Sequence, residues 1–195
     1  MQVGVLALQG SVREHLDSLK RCGVNAVEVR TAEQLNSVSG LIIPGGESTT
    51  VAKLLRLYGL MDLLQERGRS GFPIFGTCTG MILLAREIEG SDQSHLGLMD
   101  ITVRRNAYGR QVDSFETEIT IEKVADPDRP IPAIFIRAPL VTQVGEGVDV
   151  LASVDSQPVM LRQGNLLAAS FHPELTDDTR VHGFFIEEMI EPATG

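Results

Sequence analysis

The sequence predicts an α/β fold of three layers: a mostly parallel central sheet flanked by helices, with antiparallel additions in its second half. Three observations point there. In the first half, apolar runs of strand length (residues 2–8, 25–29, 41–43 and 73–75) alternate with stretches of helical periodicity and short connections. From Leu98 onward the helical periodicity gives way to alternating, strand-like segments. Glycine-rich sequences directly follow two of the early apolar runs, and open parallel sheets hold ligands at the carboxyl ends of their strands.

Val3, Val5, Leu6 and Leu8 make a first buried strand that ends at Gln9-Gly10. Ser11 has the type and place of an N-cap for a helix whose Val12, Leu16 and Leu19 recur at helical spacing; Cys22-Gly23 closes it. Residues 25–29 form strand two, and Ser39-Gly40 leads into strand three, a β-α-β-β rhythm. After Pro44-Gly45-Gly46 a helix carries Val51, Leu54 and Leu55 on its apolar face. Gly59 breaks or kinks it before Leu60, Met61, Leu63 and Leu64 continue that face. The strand at 73–75 leads through Cys78 to a packed helix opening at residues 81–85. Residues 87–93 are polar and loop-like, with His95 expected on the surface beyond them. Residues 100–104 and 114–121 alternate as strands, residues 126–130 form an exposed turn, and residues 135–139 form a short strand carrying Arg137. Strands over 148–154, 159–162 and 166–171 follow, the last two joined as a hairpin at Gln163-Gly164-Asn165. Val181, Phe184, Phe185 and Met189 give residues 179–190 the pattern of a closing amphipathic helix. No linker divides the halves, so one domain is expected over residues 1–195.

Composition narrows the function. The formal charge of -9 argues against a nucleic-acid binder, because neutralising phosphates takes a basic face. No apolar run reaches the roughly 18 residues of a membrane span, and residues 1–8 lack the length and basic flank of a signal peptide. Two cysteines make neither a disulfide framework nor a zinc site. A reducing, cytoplasmic setting is expected, with Cys22 structural and no metal or organic cofactor.

Chemistry is concentrated in three motifs. Gly76-Thr77-Cys78-Thr79-Gly80 is the thiol version of the strand-to-helix nucleophile elbow. Its glycines suit a turn with no room for Cβ atoms, and its place at a helix N-terminus favours the thiolate. Pro44-Gly45-Gly46-Glu47-Ser48 follows strand three and precedes a helix, a setting in which successive backbone N–H groups can hold an anion. His172-Pro173-Glu174 follows the strand at 166–171, where residues two apart face the same way. A thiolate enzyme needs a base and a carboxylate to orient it, and His172 with Glu174 supplies both. His15, His95 and His182 show no comparable carboxylate neighbour in the sequence.

With these motifs the chain resembles the class I glutamine amidotransferase family. Within it, the chain is most similar to the branch of glutaminase subunits that serve pyridoxal 5'-phosphate synthases. The resemblance rests on Leu6-Ala7-Leu8-Gln9-Gly10, Ile43-Pro44-Gly45-Gly46-Glu47-Ser48-Thr49, Gly76-Thr77-Cys78, Arg105-Asn106 with Gly109-Arg110-Gln111, Ser114-Phe115-Glu116, Phe135-Ile136-Arg137-Ala138-Pro139 and Phe171-His172-Pro173-Glu174-Leu175. The triad blocks mark the broad class; the Gly-Gly-Glu-Ser-Thr, Arg-Asn and Ile-Arg-Ala-Pro blocks mark the vitamin B6 branch. Thr79 stands where the family has alanine, a change that leaves the backbone N–H in place.

The resemblance implies a class I amidotransferase-like fold and hydrolysis of L-glutamine by a Cys78-His172-Glu174 triad. It implies oxyanion stabilisation by the N–H groups of Gly46 and Thr79, and glutamine binding by Gly46, Glu47, Ser48, Arg105, Ile136 and Arg137. The partner it implies is a pyridoxal 5'-phosphate synthase subunit that receives the ammonia. Two other readings stay open at this level: an amidotransferase subunit of another biosynthetic pathway, and a non-catalytic binding or redox-sensing module on the same fold.

Overall fold

Strands buried on both faces read as continuous apolar runs, which is why the central strands were conspicuous. The structure is a computed structural model that describes residues 1–105 and 114–194; Asn106, Gly109, Arg110 and Gln111 of the resemblance lie outside the described residues. The first half runs β1 (Gln2–Leu6), α1 (Val12–Arg21), β2 (Asn25–Val29), α2 (Ala32–Asn36), β3 (Gly40–Ile43), α3 (Ser48–Leu57), α4 (Met61–Arg69), β4 (Ile74–Thr77) and α5 (Thr79–Leu84). The second half runs β5 (Ala85–Ile88), β6 (Met99–Arg104), β7 (Ser114–Ile119), β8 (Ile131–Ile136), β9 (Leu140–Val144), β10 (Asp149–Val154), β11 (Gln157–Gln163) and β12 (Leu166–Ala169). A 3-10 turn (Pro173–Leu175) precedes α6 (Arg180–Phe185), which continues through a π-helical turn (Ile186–Ile190) into α7 (Glu191–Thr194).

Among the described residues the main sheet has the order β10-β11-β12-β4-β3-β1-β2. From β12 to β2 every pairing is parallel, and β10 and β11 add antiparallel strands at the other edge. Alternation along the central strands divides two cores. Leu41, Ile43, Ile74, Leu166 and Ala168 pack with α3, α4 and α5, whereas Ile42, Phe75, Leu167 and Ala169 pack with α1 and α6. The smaller sheet β5-β6-β9 covers the first core and the β7-β8 hairpin the second.

Several elements differ from the sequence expectation. A short helix, α2, lies between β2 and β3, started by a capping box in which Thr31 and Gln34 satisfy each other's backbone N–H. Where a polar loop was expected after the elbow helix, α5 ends at Leu84 and β5 begins; its middle residues are exposed, which hid the pattern. Ser11 holds the N-cap position of α1 but makes no side-chain cap bond. The strand expected to carry Arg137 ends at Ile136, and Arg137 sits just past it with φ 44°. Its left-handed backbone closes the strand, and the cation belongs to the turn.

Candidate active site

β4 ends at Thr77 and α5 begins at Thr79, so Cys78 alone makes the reversal, with φ 49° and ψ -100°. A non-glycine residue in that region is strained, and the surroundings must hold it there. They do so on two sides. The Cys78 N–H donates to Ala169 O at 2.8 Å, extending the β4-β12 ladder by one step. The helix then packs against the sheet so closely that a Cβ on Gly80 would stand 2.2 Å from the Ile43 carbonyl oxygen, and one on Gly76 2.4 Å from the Gly80 carbonyl carbon. Glycine at both positions is a condition of the turn.

Because β12 lies beside β4 and parallel to it, its carboxyl end brings His172 next to Cys78. The pairing with Glu174 does not arise as the sequence suggested. Residues 173–175 form a 3-10 turn, not a strand, and it is the turn that folds Glu174 back, with His172 Nδ1 2.7 Å from Glu174 Oε1. The His172 N–H donates to Ile134 O at 2.8 Å, so β8 fixes the turn from outside. Burial by itself would lower the His172 pKa. Hydrogen bonds and charge from Cys78 and Glu174 outweigh that and raise it to about 10. Burial also opposes ionisation of Glu174, yet His15 and His172 beside it keep its carboxyl below the usual range.

His15 was expected to have no carboxylate neighbour. The structure corrects this: His15 Nε2 lies 3.4 Å from Glu174 Oε2, both side chains fully buried. The same Nε2 lies 3.1 Å from Thr77 Oγ1, and His15 Nδ1 lies 3.0 Å from His182 Nε2. Neither contact is local in sequence, so no spacing rule could have found them. Burial lowers the pKa of both histidines, that of His182 to about 3. His95 is partly buried and braces its own loop, its ring nitrogens 2.8 Å from Gln93 O and 2.9 Å from Arg86 O.

The buried histidines set a pH limit on stability. A histidine whose pKa is lower folded than unfolded stabilises fully above the unfolded value, near 6.5, and loses that stability as pH falls toward the folded one. Acidification from pH 7 toward 5 is therefore expected to lower the thermal midpoint, and less so in His182→Leu. His172 acts in the opposite sense: its contribution is complete below the unfolded value and is lost as pH rises through about 10. Thermal melts across this range would test both signs.

A cleft of about 530 Å³ opens over Cys78 and His172. Gly46, Glu47, Ser48, Thr79, Arg105, Ile136 and Arg137 line it, so the structure gathers the residues that the sequence analysis named; Glu174 lies behind the wall. Glu14 of α1 lines it as well and was not anticipated. The Thr79 hydroxyl donates to the Gly46 carbonyl, tying the glycine loop to the elbow helix. Glu47 also has a role that the sequence analysis did not name. Its carboxylate caps α3, and bonds from the Thr49 hydroxyl first, then from Thr50 and two backbone N–H groups, hold its pKa at about 2. Its own N–H donates to Gln9 Oε1 at 2.9 Å. Both polar groups of Glu47 thus shape the loop. Gln93, placed by the sequence in a featureless stretch, accepts from Ser48 Oγ at 3.0 Å and from the Arg105 guanidinium at 2.9 Å. It sets the position of two cleft residues.

Comparison with known proteins agrees with this geometry. Pyridoxal 5'-phosphate synthase subunit PdxT of Niallia circulans is 53% identical over 191 residues, covering 98% of this chain and 99% of that one. The protein of the same name from Carboxydothermus hydrogenoformans is 55% identical over 189 residues, covering 97% and 98%. A solved crystal structure of a glutamine amidotransferase superposes with a TM-score of 0.91 at 49% identity, covering 99% of each chain. The model of the SNO glutamine amidotransferase family matches residues 5–191, and with an elbow cysteine, a histidine and a carboxylate assembled at the edge of a parallel sheet, the chain belongs to that family.

Proposed function

We propose that this chain is a glutaminase: it hydrolyses L-glutamine to L-glutamate and ammonia, and delivers the ammonia to a pyridoxal 5'-phosphate synthase subunit for vitamin B6 synthesis. The observation that carries the chemistry is a strained, sheet-edge cysteine beside a histidine whose pKa it helps raise and whose Nδ1 meets a buried carboxylate. The pathway rests on the relatives, which bear the synthase name over nearly their whole length.

In the proposed reaction the Cys78 sulfur attacks the side-chain carbonyl of glutamine, and the carbonyl oxygen becomes an oxyanion. Backbone N–H groups of Gly46 and Thr79 receive that charge, an effect of roughly 3 kcal/mol for each well-placed donor. Protonated His172 gives its proton to the departing nitrogen, ammonia leaves, and a glutamyl thioester remains. Neutral His172 then takes a proton from water as the water attacks the thioester, releasing glutamate and restoring Cys78. Glu174 keeps His172 in one tautomer and orientation throughout. Arg105 and Arg137 suit the substrate's α-carboxylate, which a planar guanidinium can grip with two bonds. Glu14 suits its α-ammonium, and Ser48 and the Ile136 backbone complete the wall, with Glu47 shaping the loop beneath.

Strands from both halves join in one main sheet, β12 pairing with β4, which supports reading residues 1–195 as one glutaminase domain. Among the described residues no helix is long and apolar enough to cross a membrane, and the free thiols of Cys22 and Cys78 suit the reducing cytoplasm.

The test is glutamate and ammonia release from glutamine, measured with a pyridoxal 5'-phosphate synthase subunit present. No release above the uncatalysed rate would refute the reading. Arg105→Ala is expected to raise the KM for glutamine by about tenfold or more, the effect of losing a charge-assisted hydrogen bond, with a smaller change in kcat. An unchanged KM would remove Arg105 from substrate binding.

A further inference from the structure

Behind the triad sits a pair of buried histidines that the reaction above does not use. Hydrogen-bond accounting gives them definite protonation. A carboxylate only accepts, so its charge at 3.4 Å favours the proton on the His15 nitrogen that faces Glu174 Oε2. With Nε2 protonated and the ring neutral, His15 Nδ1 is a bare acceptor. Its 3.0 Å contact with His182 Nε2 then requires the proton on the His182 nitrogen. His182 Nδ1 is left bare, and it is the ring nitrogen of the pair that has no hydrogen-bond partner. The opposite tautomers would bury an unpaired N–H at that place and set the His15 lone pair against a carboxylate. Both arrangements are costly in a dry interior.

We infer that His15 is a positioning residue for the glutaminase reaction: His182 fixes its tautomer, and its Nε2–H, shared with Thr77 Oγ1, holds the far oxygen of the carboxylate that orients His172. This rests on the triad reading given above. Glu174 is buried, its Oε2 has no hydrogen-bond partner of good geometry, and His15 Nε2 approaches it at 3.4 Å. Without that N–H the carboxylate would be anchored chiefly by the group it is meant to orient. The chain of contacts runs from α6 through α1 to the turn after β12, and Thr77 joins it to the residue before the nucleophile. Among the described residues no group of histidine, cysteine and carboxylate side chains is arranged to hold a metal ion.

The experiment measures glutamine turnover against pH, with the synthase subunit present, for wild type, His15→Leu and His15→Gln. Leucine fills the space without a donor, whereas the glutamine amide can place an N–H where the imidazole Nε2–H was. His15→Leu is expected to lower kcat by about tenfold or more, the effect of losing a hydrogen bond to a charged group, while the KM stays unchanged. His15→Gln should recover most of the loss. The acid limb of kcat/KM should move to higher pH in His15→Leu, because a carboxylate that loses a donor binds a proton more readily. The titratable and charged groups facing His15 are Glu174 and His172 from the turn after β12, Glu14 on its own helix, and His182 on α6, itself near Arg21; all stay in both His15 variants. Should His15→Leu fail to fold, His182→Leu decides: it frees the His15 tautomer without touching the Glu174 contact, and should shift the acid limb the same way. Wild-type kcat and pH profile in the decisive variant would overturn the inference. So would equal losses in His15→Leu and His15→Gln with an unmoved acid limb, the mark of simple packing. A wild-type protein with no turnover would refute the glutaminase reading instead.

Discussion

Cys78→Ala is expected to reduce glutamate release by at least about a thousandfold, to the residual level left by binding and the oxyanion donors alone. Nothing else in the cleft can form the thioester, since no second thiol lines it. The fold should survive. The reversal at residue 78 is enforced by the close packing of Gly76 and Gly80 and by the N–H bond to Ala169, none of which involves sulfur. The Cys78 thiol itself donates a long 3.8 Å bond to Ile136 O. The thermal midpoint should therefore move by no more than about 4 °C, the shift that about 1 kcal/mol produces in a domain of this size. Cys22→Ala is the control: its thiol donates to Thr179 O at 3.7 Å, outside the cleft, and that variant should keep wild-type turnover. Turnover by Cys78→Ala near the wild-type rate would dismantle the assignment.

Gly45→Ala should be the next most damaging change, although Gly45 is not itself a reacting group. A Cβ there would stand 2.4 Å from His172 Cε1 and 3.5 Å from Cys78 Cβ. The ring cannot slide away freely, because Glu174 holds its Nδ1 at 2.7 Å. Either the loop lifts or the imidazole tilts out of line with the sulfur, and a displacement of about 1 Å in a catalytic group can cost about a hundredfold in rate. Crowding of this kind lowers stability by about 1–3 kcal/mol, so the protein should still fold at 25 °C. Gly46→Ala offers a graded comparison: its Cβ would meet the tip of the Gln9 side chain at 3.1 Å, a group that can move aside. Equal turnover in the two variants would show that the Gly45 clash relaxes without disturbing His172.

What could be read from the sequence follows from the range of each interaction. The apolar runs of β1, β3, β4 and β12 were legible because strands buried on both faces leave a local signature. Glycines around Cys78, and His172 close to Glu174, were legible because each motif is only a few residues long. α2 escaped although its capping box was present, because five residues carry too little periodicity to stand out. β5 escaped because its two central residues are exposed. The contact between His15 and Glu174 was beyond reach, since it joins the first helix to the turn after the last strand. The capping role of Glu47 was missed for a related reason: it depends on where the helix begins, and the carboxylate stands one residue ahead of it.

The neighbouring places of β4 and β12 in the sheet carry a consequence for the order in which this chain becomes reactive. Cys78 emerges from the ribosome well before His172 and Glu174, and nearly half the chain separates them. Until β12 slots between β4 and β11, the thiol has no base, no orienting carboxylate and no Ala169 carbonyl to hold its turn. Contacts so distant in sequence form late, after the loop entropy between them has been met. Synthesis thus acts as a safety catch: a nascent or truncated chain carries an ordinary cysteine, and hydrolytic power arrives only when the last strand closes the sheet.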